Sequence, residues 1–289
     1  MMEPRPLQFG LKTILAITAG VALFFAAGSW FGPAGYVGIC MVTVLGTALF
    51  YPRLAIVERV VMCLIVAILV ALLLPAQATN CTGRRRSQCT NNLKQIGLAL
   101  HNYNSAYGCF PPVCTTDENG KPMHSWRVLI LPFMEQRELY DRYDFNEPWN
   151  GPHNALLANE MPPVFRCPND TANPGANTDY VAVVGPETIW QPDQSTTFRD
   201  IEDGSSSTIA VIEASGAGIH WMEPRDLPFA ALAKRVNPKP GPGISSMHPG
   251  AVLAVFADGH TQSIDEGISL EQLKALFTKA GGEAIDDDF

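Results

Sequence analysis

The sequence carries no Asp, Glu, Lys or Arg between Thr13 and Pro52, and none between Val60 and Gly83. A compact soluble protein spreads its charge over its surface, so such voids exclude a wholly cytosolic globular enzyme. Other absences narrow the field. There is no C-x-x-C and no closely paired histidine, the usual spacings of a zinc site. There is no G-x-G-x-x-G and no phosphate loop, and no repeat of 20–50 residues. Gly204-Ser205-Ser206-Ser207-Thr208 lacks the second glycine of a nucleophile elbow. Positive charge is also scarce. Residues 1–75 hold four basic and two acidic groups, which leaves 16 basic and 26 acidic ones in 76–289. A surface so acidic repels nucleic-acid backbones, and no nucleic-acid partner is expected.

What fills the uncharged stretches is apolar. Forty such residues in one helix would reach about 60 Å, twice the hydrocarbon core of roughly 30 Å, so the run must turn back on itself. Gly32-Pro33 marks the turn. The sequence predicts a membrane module over 1–75, with transmembrane helices at about 11–31, 35–51 and 56–74, followed by an extracytoplasmic domain over 76–289. The first span is too long, and lacks the A-x-A site, for a cleaved signal peptide. Arg5 and Lys12 before it, with Arg53 and Arg59 between the second and third spans, place those segments in the cytoplasm. Three crossings then put the remainder in the periplasm, although Arg84-Arg85-Arg86 argues the other way. The localisation expected is therefore a multi-pass protein of the bacterial inner membrane.

Beyond Pro75, Leu93, Ile96, Leu100, Tyr103 and Tyr107 recur at helical spacing and predict one buried helix face. Tyr180–Val184, Thr208–Glu213 and Ala251–Ala257 predict strands. Asp258-Gly259 predicts a two-residue type I′ hairpin turn. A terminal helix is predicted over 270–279, with Ser269 as N-cap, Gln272 completing a capping box, and Gly281 as the stop; the tail after it is expected to be disordered. Asn169–Asn177 and Asn237–Gly243 predict loops. The fold class expected is α+β, a long helix packed on an antiparallel sheet with long loops.

Five blocks in order carry a resemblance. They are NNLKQIGLALHNY from Asn91, HSWRVLILPFMEQ from His124, VFRCPND from Val164, DIEDGSSSTIAVIEAS from Asp200, and HPGAVLAVFADG from His248. In the last block nine residues separate His248 from Asp258-Gly259. Together they resemble a bacterial prepilin-like family of unknown function (domain of unknown function 1559), related to type IV pilins and pseudopilins. The resemblance implies a pilin-like domain after the membrane module. Where the family keeps a prepilin cleavage glycine followed by a glutamate, this chain has Arg53 and Glu58 ahead of Ala71–Ala76, so the processing site looks lost. Glu58 then reads as a local partner of Arg59, and the domain as permanently anchored.

Candidate chemistry is sparse. Five cysteines lie outside the spans, and an oxidising compartment suggests bridges at Cys109–Cys114 and Cys89–Cys167. His248, Asp258 and Gly259 form the motif, read as a loop histidine and a turn rather than as a catalytic pair. No cofactor is expected. Asp200, Glu202 and Asp203 offer alternate oxygens of the kind calcium takes; no other metal is expected. The function these features favour is non-enzymatic display of a pseudopilin-like domain for contacts with other envelope proteins. One alternative is a saccharide or small-ligand module stacking on Trp126, Trp149, Trp190 and Trp221. A hydrolase using His248 and Asp258 is another.

Overall fold

The structure, a computed structural model, describes residues 80–170, 175–232, 236 and 243–283. The chain divides into two compact units, Met1–Thr82 and Gly83–Phe289, and nearly all of the described residues belong to the second. The three expected spans, the Arg53–Glu58 site, most of the Asn237–Gly243 loop and the acidic tail lie outside the described residues. Among the described residues no helix is long and apolar enough to cross a membrane.

The unit is α+β. Helix α1 (Asn80–Tyr107) supplies the predicted stripe: Leu93, Ile96 and Leu100 are fully buried, and Cys89 extends the same face one turn earlier. The stripe ends sooner than its spacing implies. Tyr107 is exposed and rests on Tyr103, because the helix runs past the edge of the core there.

The main sheet has four antiparallel strands in the order β3-β5-β7-β8, where β3 is Tyr180–Val181, β5 Ile209–Glu213, β7 Ala251–Phe256 and β8 Thr261–Asp265. Alternation assigns its two faces. Leu253 and Val255 join the cluster that contains the α1 stripe. Val252, Ala254 and Phe256 join the opposite cluster with Leu273, Leu276 and Phe277 from the C-terminal segment. The sheet is thus covered on both sides, and β5 in its middle is buried at every residue. A smaller hairpin pairs β1 (Cys114–Thr116) with β2 (Pro122–Ser125), and α2 (Trp126–Leu129) and α3 (Arg137–Arg142) follow.

The apolar run expected as one strand over Tyr180–Val184 breaks at Ala182. Its amide donates to Asp226 Oδ1 at 2.8 Å, and β4 (Val183–Val184) leaves the sheet to pair in parallel with β6 (Leu227–Pro228). Asp226 belongs to a buried network centred on Arg127, with which it forms an ion pair. Arg127 also donates to Ser125 Oγ at 3.0 Å and to the Tyr180 carbonyl at 3.2 Å. The Trp126 indole N–H donates to Asp226 Oδ2 at 3.1 Å. Ser125-Trp126-Arg127 therefore serves the interior.

Helix α4 (Leu270–Ala275) is shorter than the 270–279 predicted. Ser269 caps it as expected, accepting from the Gln272 amide at 3.1 Å. Its hydroxyl also donates to Gln272 Oε1 at 3.3 Å. The helix ends early because Thr278 bridges to Thr188 and the Lys279 amide donates to the Glu187 carbonyl. Extended pairing takes over before Gly281 is reached.

The β7–β8 turn also differs from expectation. Gly259 has φ +89°, but Asp258 does not have positive φ, which a type I′ turn requires at both residues. The Phe256 amide donates to the His260 carbonyl, and the Gly259 amide to the Phe256 carbonyl. This is a three-residue loop with glycine at its left-handed position. Its location makes a second demand for glycine: a Cβ on Gly259 would stand 3.2 Å from His101 Nε2 of α1.

Candidate functional site

Four buried side chains from four segments meet beneath the N-terminal part of α1. They are Cys89, Cys167, Glu213 and His248, and one donor atom from each lies within 4.8 Å of the others. Cys89 reaches the place as a member of the α1 stripe. Cys167 is held by a turn: the Asp170 amide donates to its carbonyl at 2.9 Å, with Pro168 following it. Its own amide donates to Asp179 Oδ2 at 2.7 Å, and Asn92 Nδ2 ties the turn to α1 through the Arg166 carbonyl. Glu213 ends β5 directly across from Tyr180, so both point to the α1 face. His248 lies just before β7, its amide donating to Ser246 Oγ at 3.0 Å.

The two carboxylate oxygens of Glu213 differ. Oε2 accepts from Ser246 Oγ at 2.7 Å and from the Leu253 amide at 3.0 Å. Oε1 is buried without a hydrogen-bond partner, 3.7 Å from His248 Nε2. Cys167 Sγ stands 3.6 Å from the same nitrogen. The other ring nitrogen, Nδ1, meets the Asn169 side-chain amide at 3.1 Å.

Burial and crowding set the acidities. The Cys167 thiol donates to Cys89, lowering Cys89 to about 5 and pushing Cys167 upward. Burial lifts Glu213 to about 7 against the Ser246 hydroxyl and His248. For His248 burial pulls downward, but Cys89 and the Glu213 carboxylate outweigh it and the ring is held above its ordinary value. Burial raises Asp179 to about 8 despite the Cys167 amide, with Asp170 beside it. Two thiols, a carboxyl and an imidazole thus share one dry pocket, a donor set chemically suited to a metal ion.

Of the motif expected from sequence, only His248 lies here. Asp258 is at the far end of β7, where Oδ1 accepts from the His260 amide at 2.9 Å and contacts His260 Nδ1 at 2.6 Å. Gly259 packs on His101. That histidine is half-buried against Phe198. His248 and Asp258 therefore do not form an acid–base pair.

The expected bridges are not formed: Cys89, Cys109, Cys114 and Cys167 are free thiols. Cys89 and Cys167 do come together, whereas Cys109 turns toward the Tyr107 carbonyl and Cys114 lies in β1. The calcium candidates serve separate backbone segments. Asp200 caps Thr197, accepting from its amide at 2.7 Å. Asp203 accepts from the Gly281 and Gly282 amides at 2.6 and 2.8 Å, and Glu202 is exposed.

Three of the four candidate stacking tryptophans are interior. Trp126, Trp190 and Trp221 are at most 1% exposed. The indole N–H of Trp190 donates to the Ala210 carbonyl at 2.6 Å, and that of Trp221 to the Ala158 carbonyl at 3.0 Å. They present no ring face to a sugar. Trp149 is half-buried against His220.

Sequence reasoning missed Glu213, Asn169 and Asp179. Glu213 had a visible signal, being the one charged residue in the apolar run Ile209–Glu213. The other two carry none, since Asn and Asp are ordinary loop residues.

Residues 83–191 match the model of a family described as a protein of unknown function (DUF1559). No curated protein and no solved structure matches the chain.

Proposed function

We propose that this is a non-enzymatic, multi-pass protein of the bacterial inner membrane. It displays a pseudopilin-like domain to the periplasm for contacts with other envelope proteins. The observation that carries the reading is where the reactive groups lie. Cys89, Cys167, Glu213 and His248 are at most 5% exposed, whereas catalysis requires the reacting atoms to meet a substrate. What the domain offers a partner is its outer surface, where Leu98 on α1 and Leu156 are 60% and 76% exposed. The uncharged runs over Thr13–Pro52 and Val60–Gly83 supply the anchor.

Two measurements test this. Alkaline phosphatase fused after Phe289 is expected to be active, since it folds only outside the cytoplasm; activity confined to a fusion at Arg53 would invert the topology. A photo-crosslinking residue at Leu98 or Leu156 in intact cells should give discrete adducts with envelope proteins. Adducts no different from those at Lys121, elsewhere on the surface, would remove the contact surface.

A further inference from the structure

The buried cluster is organised like a coordination shell. In a tetrahedral zinc site, metal–sulfur bonds of about 2.3 Å and metal–nitrogen or –oxygen bonds of about 2.0 Å set sulfur and nitrogen roughly 3.5 Å apart, and nitrogen and oxygen about 3.3 Å apart. Here Cys167 Sγ and His248 Nε2 are 3.6 Å apart, and His248 Nε2 and Glu213 Oε1 are 3.7 Å apart. The four donor atoms lie within 4.8 Å of each other, so closing on an ion needs shifts below about 1 Å. Glu213 Oε1 is a buried oxygen without a hydrogen-bond partner, and a cation would complete it.

We propose that Cys89 Sγ, Cys167 Sγ, His248 Nε2 and Glu213 Oε1 bind a single zinc-class divalent ion as a closed structural centre. The chemistry of the donors selects the class. Two sulfurs disfavour magnesium and calcium, which take oxygen shells, and favour a tetrahedral borderline ion. Four protein ligands leave no position for water, so the site is structural rather than hydrolytic. Two thiolates and a carboxylate around a doubly charged ion leave one net negative charge, against three if the same deprotonated ligands stood without it. Binding releases to solvent the proton that the two sulfurs share and any proton on Glu213 or on His248 Nε2.

Asn169 is the positioning residue. Its amide meets His248 Nδ1 at 3.1 Å, and with its oxygen toward that nitrogen it accepts from Nδ1–H and leaves the Nε2 lone pair to the ion. The two ends of the amide exchange by a simple flip. Such outer partners orient a ligating ring. A groove of about 420 Å³ is lined by Gln88, Met161, Arg166 and Pro168, chain neighbours of both cysteines among them. The inference is independent of where the domain is displayed.

The test uses the full chain purified in detergent with reductant and without chelator. Zinc equimolar with protein is expected by elemental analysis. Cys167→Ser and His248→Ala should lose it, Cys109→Ser should keep it, and Asn169→Leu should weaken affinity about 10–100-fold. Cobalt(II) added to the stripped chain should give a thiolate charge-transfer band and tetrahedral d–d absorption. This readout decides the matter even where a variant fails to fold. The proposal is overturned if the reduced chain neither retains zinc nor gives the cobalt spectrum. It is also overturned if metal persists in both ligand variants, or if the purified chain carries a Cys89–Cys167 disulfide in place of metal.

Discussion

Two polar centres are buried in this domain, and their interiors are completed in opposite ways. Around Asp226 every charge has its complement: Arg127 answers it across an ion pair, and Trp126 and the Ala182 amide fill the remaining lone pairs. Around Glu213 the neighbours are two thiols and an imidazole, and one carboxylate oxygen has no donor. Burying a charge costs several kcal/mol unless it is paired. The first centre carries its own counter-charge in the sequence, as Arg127. Among the described residues the second has no guanidinium or ammonium, only the titratable His248 ring 3.7 Å from Oε1, and the difference is why the same kind of burial reads as a finished strut in one place and as a binding site in the other.

The comparison breaks most visibly at Asp226. Asp226→Ala strands a buried guanidinium and should destabilise the domain by about 3–5 kcal/mol in chemical denaturation. It should do so equally with and without zinc. A loss that zinc restores would mean the two centres are coupled and the contrast is false.

The pH response sharpens the contrast. In the metal-free chain Glu213 is raised from an ordinary 4.5 to about 7 when folded. The folded state then binds the proton more tightly than the unfolded one. Its stabilising contribution is complete below about 4.5 and is lost as pH rises through about 7. Metal-free protein should therefore melt at a higher temperature at pH 5 than at pH 8, and Glu213→Gln should flatten that trend. Zinc-loaded protein should show the opposite slope, because protons compete with the ion for the ligands. Thermal melts of both forms across this range check the sign.

The smallest effects belong to the other half of the His248-to-Gly259 motif. Gly259→Val forces a β-branched side chain into positive φ against His101 and should cost roughly 1–3 kcal/mol. Asp258→Asn keeps an oxygen for the His260 amide and should shift stability by less than about 0.5 kcal/mol. Neither should alter zinc content. Loss of metal in Asp258→Asn would join the two ends of the motif into one site.

These two ends explain the motif's spacing. From Cys89 to His101 the helix advances about 18 Å, and the six residues of β7 cover about 20 Å. The strand runs beside α1, with Gly97 allowing the approach: a Cβ there would stand 2.7 Å from Val255 Cγ2. His248 then meets Cys89 at one end as Gly259 meets His101 at the other.

How much of this was legible in the sequence follows from range. Helix α1, strands β5 and β7 and the Ser269 cap were readable because local periodicity and capping chemistry determine them. The departures are tertiary. Ala182 leaves the sheet because an aspartate 44 residues on captures its amide, and α4 ends early because Thr278 finds Thr188. The site was half legible. His248 stood out by its motif, and Cys89 and Cys167 were matched as a pair, though as a disulfide. Their convergence with Glu213 depends on contacts between segments 81 residues apart and more, and no spacing rule encodes that.

The central claim is that the second centre is completed by an ion held by two sulfurs, one nitrogen and one oxygen. Zinc K-edge X-ray absorption on the full-length protein tests it most directly. The account predicts two sulfur scatterers at about 2.3 Å and two nitrogen or oxygen scatterers at about 2.0 Å. A first shell of nitrogen and oxygen alone would contradict it.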